Sequence, residues 1–419
     1  MHPSANIRAT ASRHLSGRTI VLAVTGSIAA VKTVELAREL LRHGADVVPV
    51  MSDAATRILH PDALEFATGH KPITKLTGAT EHISILGDVP GRADLLLVAP
   101  ATANTVSKMA LGIDDTPVTT FATVAFGGGV PVVVAPAMHE GMLAHPLMAA
   151  HARTLRDKLG VTWVEPTHDE KKAKLADVEA IVEAVIHRLA NDSRRPGPLA
   201  GQHVLVISGS TAEPLDPVRI VANRSSGRSG HVIATELHRL GAAVDLWEGH
   251  VTEAAPSHLA GSTTRFDTHA DLMALVKRTA LGRFDEVWMP AAIGDYTPQA
   301  AKHKIASGKG PIAVTMKPLG KVIDAVRRKA PKAVLVGFKA ESERASLLPR
   351  ARERLTRYKA QFIVANASDA FGAATSTVHL IGAGGEASTF SGPKEETLAA
   401  VVQAVASSQV AARGRRKAR

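Results

Sequence analysis

The chain of 419 residues carries a formal net charge of +11 and no cysteine, which excludes disulfides, thiolate metal sites and every form of cysteine-based catalysis. At roughly 100–200 residues per domain the length calls for two or three domains, and a hydrophobic content of 45% lets each half bury its own core. Aromatic residues make up only 3% of the chain and leave few stacking platforms for single strands, so the positive charge is read as a solvated surface suited to small anions rather than to nucleic acid.

The start, Met1-His2-Pro3-Ser4-Ala5-Asn6, lacks the charged and then apolar pattern of a signal peptide. No later stretch approaches the roughly 18 consecutive apolar residues of a membrane helix, so the expectation is a cytoplasmic protein with no membrane partner. Residues 20–24 form a strand-like run ending in Thr25-Gly26-Ser27. The next stretch places Ile28, Val31, Val34, Ala37, Leu40 and Leu41 on one helical face, and His43-Gly44 closes it. Residues 47–51, 95–99 and 130–135 are further strands, the last two wholly apolar. Such runs alternating with amphipathic stretches are the mark of a parallel sheet with crossover helices.

The stretch 191–200, containing Asn191-Asp192-Ser193-Arg194-Arg195-Pro196-Gly197-Pro198, has linker composition. The pattern then restarts with strands at 203–207, 243–247, 287–290, 333–338 and 362–365, a helix at 230–240 and a closing helix at 394–405. The fold class is therefore α/β, with two doubly wound, Rossmann-like domains. Their expected bounds are 17–190 and 201–410. The final residues 411–419, including Arg413-Gly414-Arg415-Arg416-Lys417, read as a disordered basic tail.

Two glycine-bearing loops open the second domain. One begins Gly209-Ser210-Thr211, and the other, Asn223-Arg224-Ser225-Ser226-Gly227-Arg228-Ser229-Gly230, leads into a helix. Small residues let backbone amides approach a phosphate at a helix start, although such a turn is as often tight packing. More specific is the fixed order of Glu213-Pro214-Leu215-Asp216-Pro217-Val218-Arg219, Asn223-Arg224-Ser225-Ser226-Gly227, Ala291-Ala292-Ile293-Gly294-Asp295-Tyr296, Lys304-Ile305, Gly337-Phe338-Lys339-Ala340-Glu341 and Ala365-Asn366. Together these closely resemble phosphopantothenate–cysteine ligase, across essentially all of residues 201–405. The resemblance implies that the carboxylate of 4′-phosphopantothenate attacks CTP, with Mg²⁺ accompanying the nucleotide. The resulting acyl-cytidylate is then opened by the amine of cysteine. It places Asn223 at the acyl-cytidylate and Lys304 opposite the triphosphate. It also places Asp295 and Ala292 at the sugar and base, Phe338 against the base, and Gly209, Ser225, Ser226 and Gly227 around the nucleotide. On residue type alone Lys304 reads as a solvated lysine and Phe338 as core. Lys317-Pro318-Leu319-Gly320-Lys321 departs from the Lys-Asn-Pro-Asp form expected of many bacterial members.

In the first domain Thr25-Gly26-Ser27-Ile28-Ala29-Ala30 is not Gly-x-Gly-x-x-Gly, which points away from a dinucleotide and towards a single phosphate at a helix start. With Ala99-Pro100-Ala101-Thr102-Ala103-Asn104 and Ala135-Pro136-Ala137-Met138, residues 17–189 resemble the flavin-containing cysteine decarboxylases, a flavodoxin-like fold. The position before a ligase domain resembles that of phosphopantothenoylcysteine decarboxylase. The resemblance implies FMN held by Gly26, Ser27, Ile28, Ser52, Ala101, Thr102 and Asn104, with His82 as the active-site histidine. It also implies trimeric flavin domains and paired ligase domains.

Two departures stand out. The usual Pro-Ala-Met-Asn is Pro136-Ala137-Met138-His139, and the usual flap cysteine has no counterpart. The segment Glu165-Pro166-Thr167-His168-Asp169-Glu170-Lys171-Lys172-Ala173-Lys174 takes that region and resembles an archaeal-type form. His139 is the first candidate for the missing proton donor; Lys171, Lys172, Lys174 and water remain alternatives. His139 and His145 have no carboxylate at ligand spacing, so no metal is assigned. The reading is a bifunctional enzyme of coenzyme A biosynthesis. Its rivals are a ligase whose flavin domain is only an oligomeric scaffold or regulatory binding module, and a flavin prenyltransferase.

Overall fold

The computed structural model describes residues 2–169, 172–306, 308, 310–341, 343–367 and 375–417. The chain divides into two units, Met1–Gly197 and Pro198–Arg419.

In the first unit the apolar runs become strands β1 (Thr19–Val24), β2 (Asp46–Met51), β3 (Leu95–Ala101), β4 (Val132–Pro136) and β6 (Thr162–Trp163), in the order β2-β1-β3-β4-β6. All their pairings are parallel. Every residue of β3 is buried, because helices cover both faces of the sheet and leave no solvent side to demand polar residues. Successive side chains alternate between the two layers. Ile20, Leu22 and Val24 pack with Leu36, Leu40 and Ile181, whereas Val21 and Ala23 pack with Val106 and Phe121. Three short strands, β5 (Met138–His139), β7 (Thr167–Asp169) and β8 (Lys172–Lys174), form a separate antiparallel sheet in the order β5-β8-β7.

The structure departs from the periodicity at three places in this unit. Ile28 and Val31 do not join the buried face: they are 78% and 53% exposed. Ile28–Lys32 is a 3₁₀ segment, and its three-residue turn puts the α-helix Thr33–Arg42 into a new phase. Residues before 17 belong to the unit, since Leu15 is fully buried and its N–H donates to the His43 carbonyl at 2.9 Å. A lone leucine among polar residues offers no period to read. The stretch of linker composition is held at both ends. Arg194 donates to the Asp94 carbonyl at 2.9 Å and Arg195 pairs with the Asp94 carboxylate, while Leu199 is buried in the core of the second unit.

The second unit contains β9 (His203–Ser208), β10 (Ala212–Pro214), β11 (Ile220–Ala222), β12 (Ala243–Glu248), β13 (Thr263–Arg265), β14 (Glu286–Met289), β15 (Tyr296–Pro298), β16 (Met316–Pro318), β17 (Val334–Glu341), β18 (Phe362–Ala367), β19 (Thr375–Gly382) and β20 (Ala387–Pro393). Eight of them make one sheet in the order β13-β12-β9-β14-β17-β18-β19-β20. The doubly wound part is parallel, and β19 and β20 extend it antiparallel. A tight turn joins this last pair, where the Gly382 N–H meets the Glu386 carbonyl at 3.1 Å and Gly385 takes φ +82°.

The closing helix runs Lys394–Lys417, past the expected end at 405 and through the region read as a disordered tail. Ala, Gln, Arg and Lys are strong helix formers, so the helix continues where the apolar stripe that announces it has ended. Among the described residues no helix is long and apolar enough to cross a membrane.

Candidate active sites

In the first unit the strand order reverses direction at β1 and β3, the place where open α/β sheets bind ligands beyond their carboxyl ends. The chain leaves β1 at Thr25, whose hydroxyl donates to the Pro100 carbonyl at 2.6 Å and accepts the Thr102 N–H at 3.1 Å. This buried threonine ties the two strand ends together. Ser27, Ser52 and Thr102 each cap the helical segment that follows, accepting the N–H of Ala29, Ala55 and Thr105 at 3.3 Å. Capping leaves other amide N–H groups of each first turn without a helical acceptor. Gly26 lies against the turn after β2, and a Cβ there would sit 2.4 Å from that of Ala54. Gly26, Ser27, Ile28, Ser52, Ala101, Thr102 and Asn104 therefore share one edge of the sheet, with Ile28 and Asn104 exposed and Ala101 buried.

His82 lies in the first turn of the helix Glu81–Leu86, and its Nδ1 is buried with no partner among the described residues. Beside it, the Thr77 hydroxyl and N–H hold the Glu81 carboxyl below the ordinary carboxylate range. His139 is exposed, and its Nδ1 accepts the Gly141 N–H at 3.1 Å, so the neutral ring carries its proton on Nε2. The backbone of His139 pairs with that of Lys172, which also pairs with Asp169. The lysine-rich segment thus lies in one small sheet with the residue after Met138. Lys174 is exposed, and Lys171 lies outside the described residues. His145 accepts the Leu147 N–H at 3.3 Å through Nδ1 and acts as a helix cap.

In the second unit the order switches between β9 and β14, and just beyond both strands Ser210 bridges to Ala292. A cleft of about 1060 Å³ opens there, lined by Asn223, Ser225, Ser226, Gly227, Ala292, Asp295 and Phe338 among others. Gly227 takes φ +85°, where a Cβ would meet Val251 Cγ1 at 2.6 Å, so only glycine starts the helix Arg228–Arg239 in this way. Asn223 Nδ2 donates to the Ala292 carbonyl at 3.1 Å across the cleft mouth. Asp295 holds Lys321 in an ion pair, and its carbonyl accepts the Leu319 N–H at 2.8 Å. The segment that departs from the bacterial form thus brings a cation to the cleft wall.

Two expected residues stand apart. Gly209 is packed on Gly249, where a Cβ would lie 2.8 Å from its nitrogen, and it lets two loops cross. Lys304 is exposed and outside the cleft wall. Its neighbour Ile305 is clamped, with its N–H given to Asp216 Oδ2 and its carbonyl receiving Arg219, both at 3.0 Å. The Ile305 N–H, joined by those of Val218 and Arg219 and by the Arg219 guanidinium, holds the Asp216 carboxyl at about 2. Sequence reasoning assigned no role to Lys321, Ser376 and Lys394, which stand in the cleft wall; a single lysine or serine outside a recognised motif carries no signal of its own.

Two doubly wound α/β units, each with a ligand edge at its strand-order switch, define a two-domain enzyme of nucleotide-type ligands. Residues 8–190 match the family described as Flavoprotein, and residues 199–408 match the DNA/pantothenate metabolism flavoprotein C-terminal domain. The chain is 43% identical to the coenzyme A biosynthesis bifunctional protein CoaBC of Thermococcus kodakarensis, over 91% of this chain and 93% of that one. Identity to the proteins of the same name is 35% for Methanocaldococcus jannaschii, covering 87% of each chain, and 32% for Bacillus subtilis, covering 86% and 88%. The chain belongs to this family of coenzyme A biosynthesis bifunctional proteins.

Proposed function

We infer that the second unit joins 4′-phosphopantothenate to cysteine at the expense of CTP, and that the first unit decarboxylates the product to 4′-phosphopantetheine. The observation that carries the ligase half is the cleft at the β9/β14 switch, where Asn223, the Ser225–Gly227 turn, Ala292, Asp295 and Phe338 converge. A carboxylate is a poor electrophile, so it first attacks the α-phosphate of CTP and expels pyrophosphate; the cysteine amine then displaces CMP to form the amide. Backbone N–H groups at the start of the helix Arg228–Arg239 screen the meeting of two anions; Lys304 stands outside this wall and adds its charge only when its segment moves onto the triphosphate. Phe338 packs the base and Asp295 receives the ribose. Asn223, oriented by the Ala292 carbonyl, holds the acyl-cytidylate for the amine. Asp295 is the one carboxylate in the described cleft wall and already holds Lys321. An accompanying Mg²⁺ would therefore rely on the nucleotide's phosphate oxygens and water, and would neutralise charge on the departing pyrophosphate.

The first unit fits FMN, with a turn where no side chain can replace Gly26 and three helix starts offering N–H groups to a phosphate. FMN, when bound, takes two electrons from the substrate and returns them. His82 offers a buried Nδ1 with no partner among the described residues, and His139 offers Nε2–H as the donor that replaces a thiol. The working state is a cytoplasmic homo-oligomer, with trimeric flavin units and paired ligase units. Supplying the full chain with 4′-phosphopantothenate, cysteine and CTP tests both halves: phosphopantetheine and carbon dioxide are expected. An amide without carbon dioxide, from protein loaded with FMN, would leave only the ligase.

A further inference from the structure

One lysine of the ligase cleft has no task in this scheme. Lys394 opens the helix Lys394–Lys417 and lines the same cleft as Asn223 and Gly227. It is half-buried, and no hydrogen bond or ion pair among the described residues holds its ammonium. Burial, and secondarily the charge of Arg228, lower its pKa, against the opposing pull of Glu253 and Glu395. Glu395 is itself engaged by Arg228 in an ion pair.

A second group in the wall is also unsatisfied. Ser376 is only 9% exposed, lines the cleft, and its Oγ is buried with no hydrogen-bond partner among the described residues. In the β19–β20 register Ser376 pairs with Gly392 and Thr375 with Pro393, so Lys394 follows directly on the strand end beside Ser376. A partly desolvated ammonium and an orphan hydroxyl are each unfavourable in a protein wall unless something completes them. Between them they offer N–H and O–H donors and no acceptor charge, which suits an anion of several oxygens.

We propose that Lys394 and Ser376 form a subsite for a phosphate group carried by one of the ligase substrates, either the triphosphate of the nucleotide or the phosphate monoester of phosphopantothenate. The proposal rests on the ligase reading of this unit. Its test is calorimetric binding of CTP, cytidine, 4′-phosphopantothenate and pantothenate to the full chain and to Lys394→Met, Lys394→Arg and Ser376→Ala.

Lys394→Met is expected to weaken one of the two phosphorylated ligands by roughly tenfold or more, the loss of one charge-assisted hydrogen bond. Its unphosphorylated counterpart should bind as before, and Lys394→Arg should recover most of the loss. Ser376→Ala should weaken the same ligand by a smaller factor. A loss confined to CTP assigns the subsite to the nucleotide, and one confined to phosphopantothenate assigns it to the monoester. Unchanged affinity for both, or an equal loss for cytidine and pantothenate, overturns the proposal. The ligase reading fails on a separate observation, the absence of amide from the wild-type chain supplied with all three substrates.

Discussion

The buried carboxylate of Asp216 accepts the backbone N–H of Ile305 at 3.0 Å although 89 residues separate them. The contact fixes the strand of chain from which Lys304 projects, and Arg219 fixes it from the carbonyl side. A carboxyl held at about 2 contributes its stability above the ordinary value of 3.8 and loses it as pH falls through about 2. The clamp is therefore fully charged throughout the neutral range. Asp216→Asn should slow pyrophosphate release by roughly tenfold or more, since a charged acceptor of three N–H groups is replaced by an amide. The pH profile between about 5 and 8 should keep its shape. A wild-type rate would show that Lys304 needs no such support.

Asn223→Asp exchanges the donor that meets the Ala292 carbonyl at 3.1 Å for a carboxylate that can only repel it. CTP should still be consumed while amide formation stalls, and acyl-cytidylate should accumulate. Mass analysis of the quenched reaction reads this directly. Normal amide yield would remove Asn223 from the second step.

In the first unit, His82→Asn should abolish carbon dioxide release from phosphopantothenoylcysteine while the ligase reaction proceeds. His139→Ala should leave carbon dioxide release in place and yield a product two hydrogens lighter than phosphopantetheine. A complete product from His139→Ala would pass the proton-donor role to the lysine segment or to water.

The helix Lys394–Lys417 has a sharp limit of tolerance to shortening. Gln409 is buried and its Nε2 donates to Glu286 Oε1 at 2.7 Å, whereas Val410 is 46% exposed. A chain ending at Val410 should keep both activities and its melting temperature. One ending at Ser408 takes a donor from a fully buried carboxylate and should cost about 1–3 kcal/mol, read by urea unfolding.

A surface pair gives the first unit a pH signature. Asp46 accepts from His70 at 3.1 Å and from Arg8 at 2.6 Å. The hydrogen bond from His70 is the chief reason the Asp46 carboxyl sits at about 2, and the same bond raises the pKa of His70. The stability from the raised His70 is whole below its ordinary 6.5 and disappears as pH rises through the raised value. Wild type should be more stable to urea than His70→Gln near pH 6, by about 1 kcal/mol after solvent screening, and the two should converge as pH rises past the raised pKa of His70. A gap that persists at high pH would mean packing rather than charge.

The strands were legible because buried parallel strands must be apolar on both faces: residues 95–99 and 130–135 announce β3 and β4 without help. The glycine at 227 was legible for a related reason, since a turn that cannot accept a Cβ leaves only one residue type open. Ile28 and Val31 were misread because a single 3₁₀ turn shifts the helical phase, and nothing in the residue types marks where it occurs. The ion pair of Lys321 with Asp295, the clamp of Asp216 on Ile305, and the placing of Ser376 and Lys394 in one cleft wall join residues that no local motif links. By itself the amino-acid sequence determined the two α/β units, the glycine turns and the absence of a thiol, because these depend on local chemistry and short periods. Which polar side chains satisfy one another, and which are left facing the cleft, was decided only by tertiary structure. A lysine or serine has the same composition whether solvated or buried, and only its folded neighbours tell the two apart.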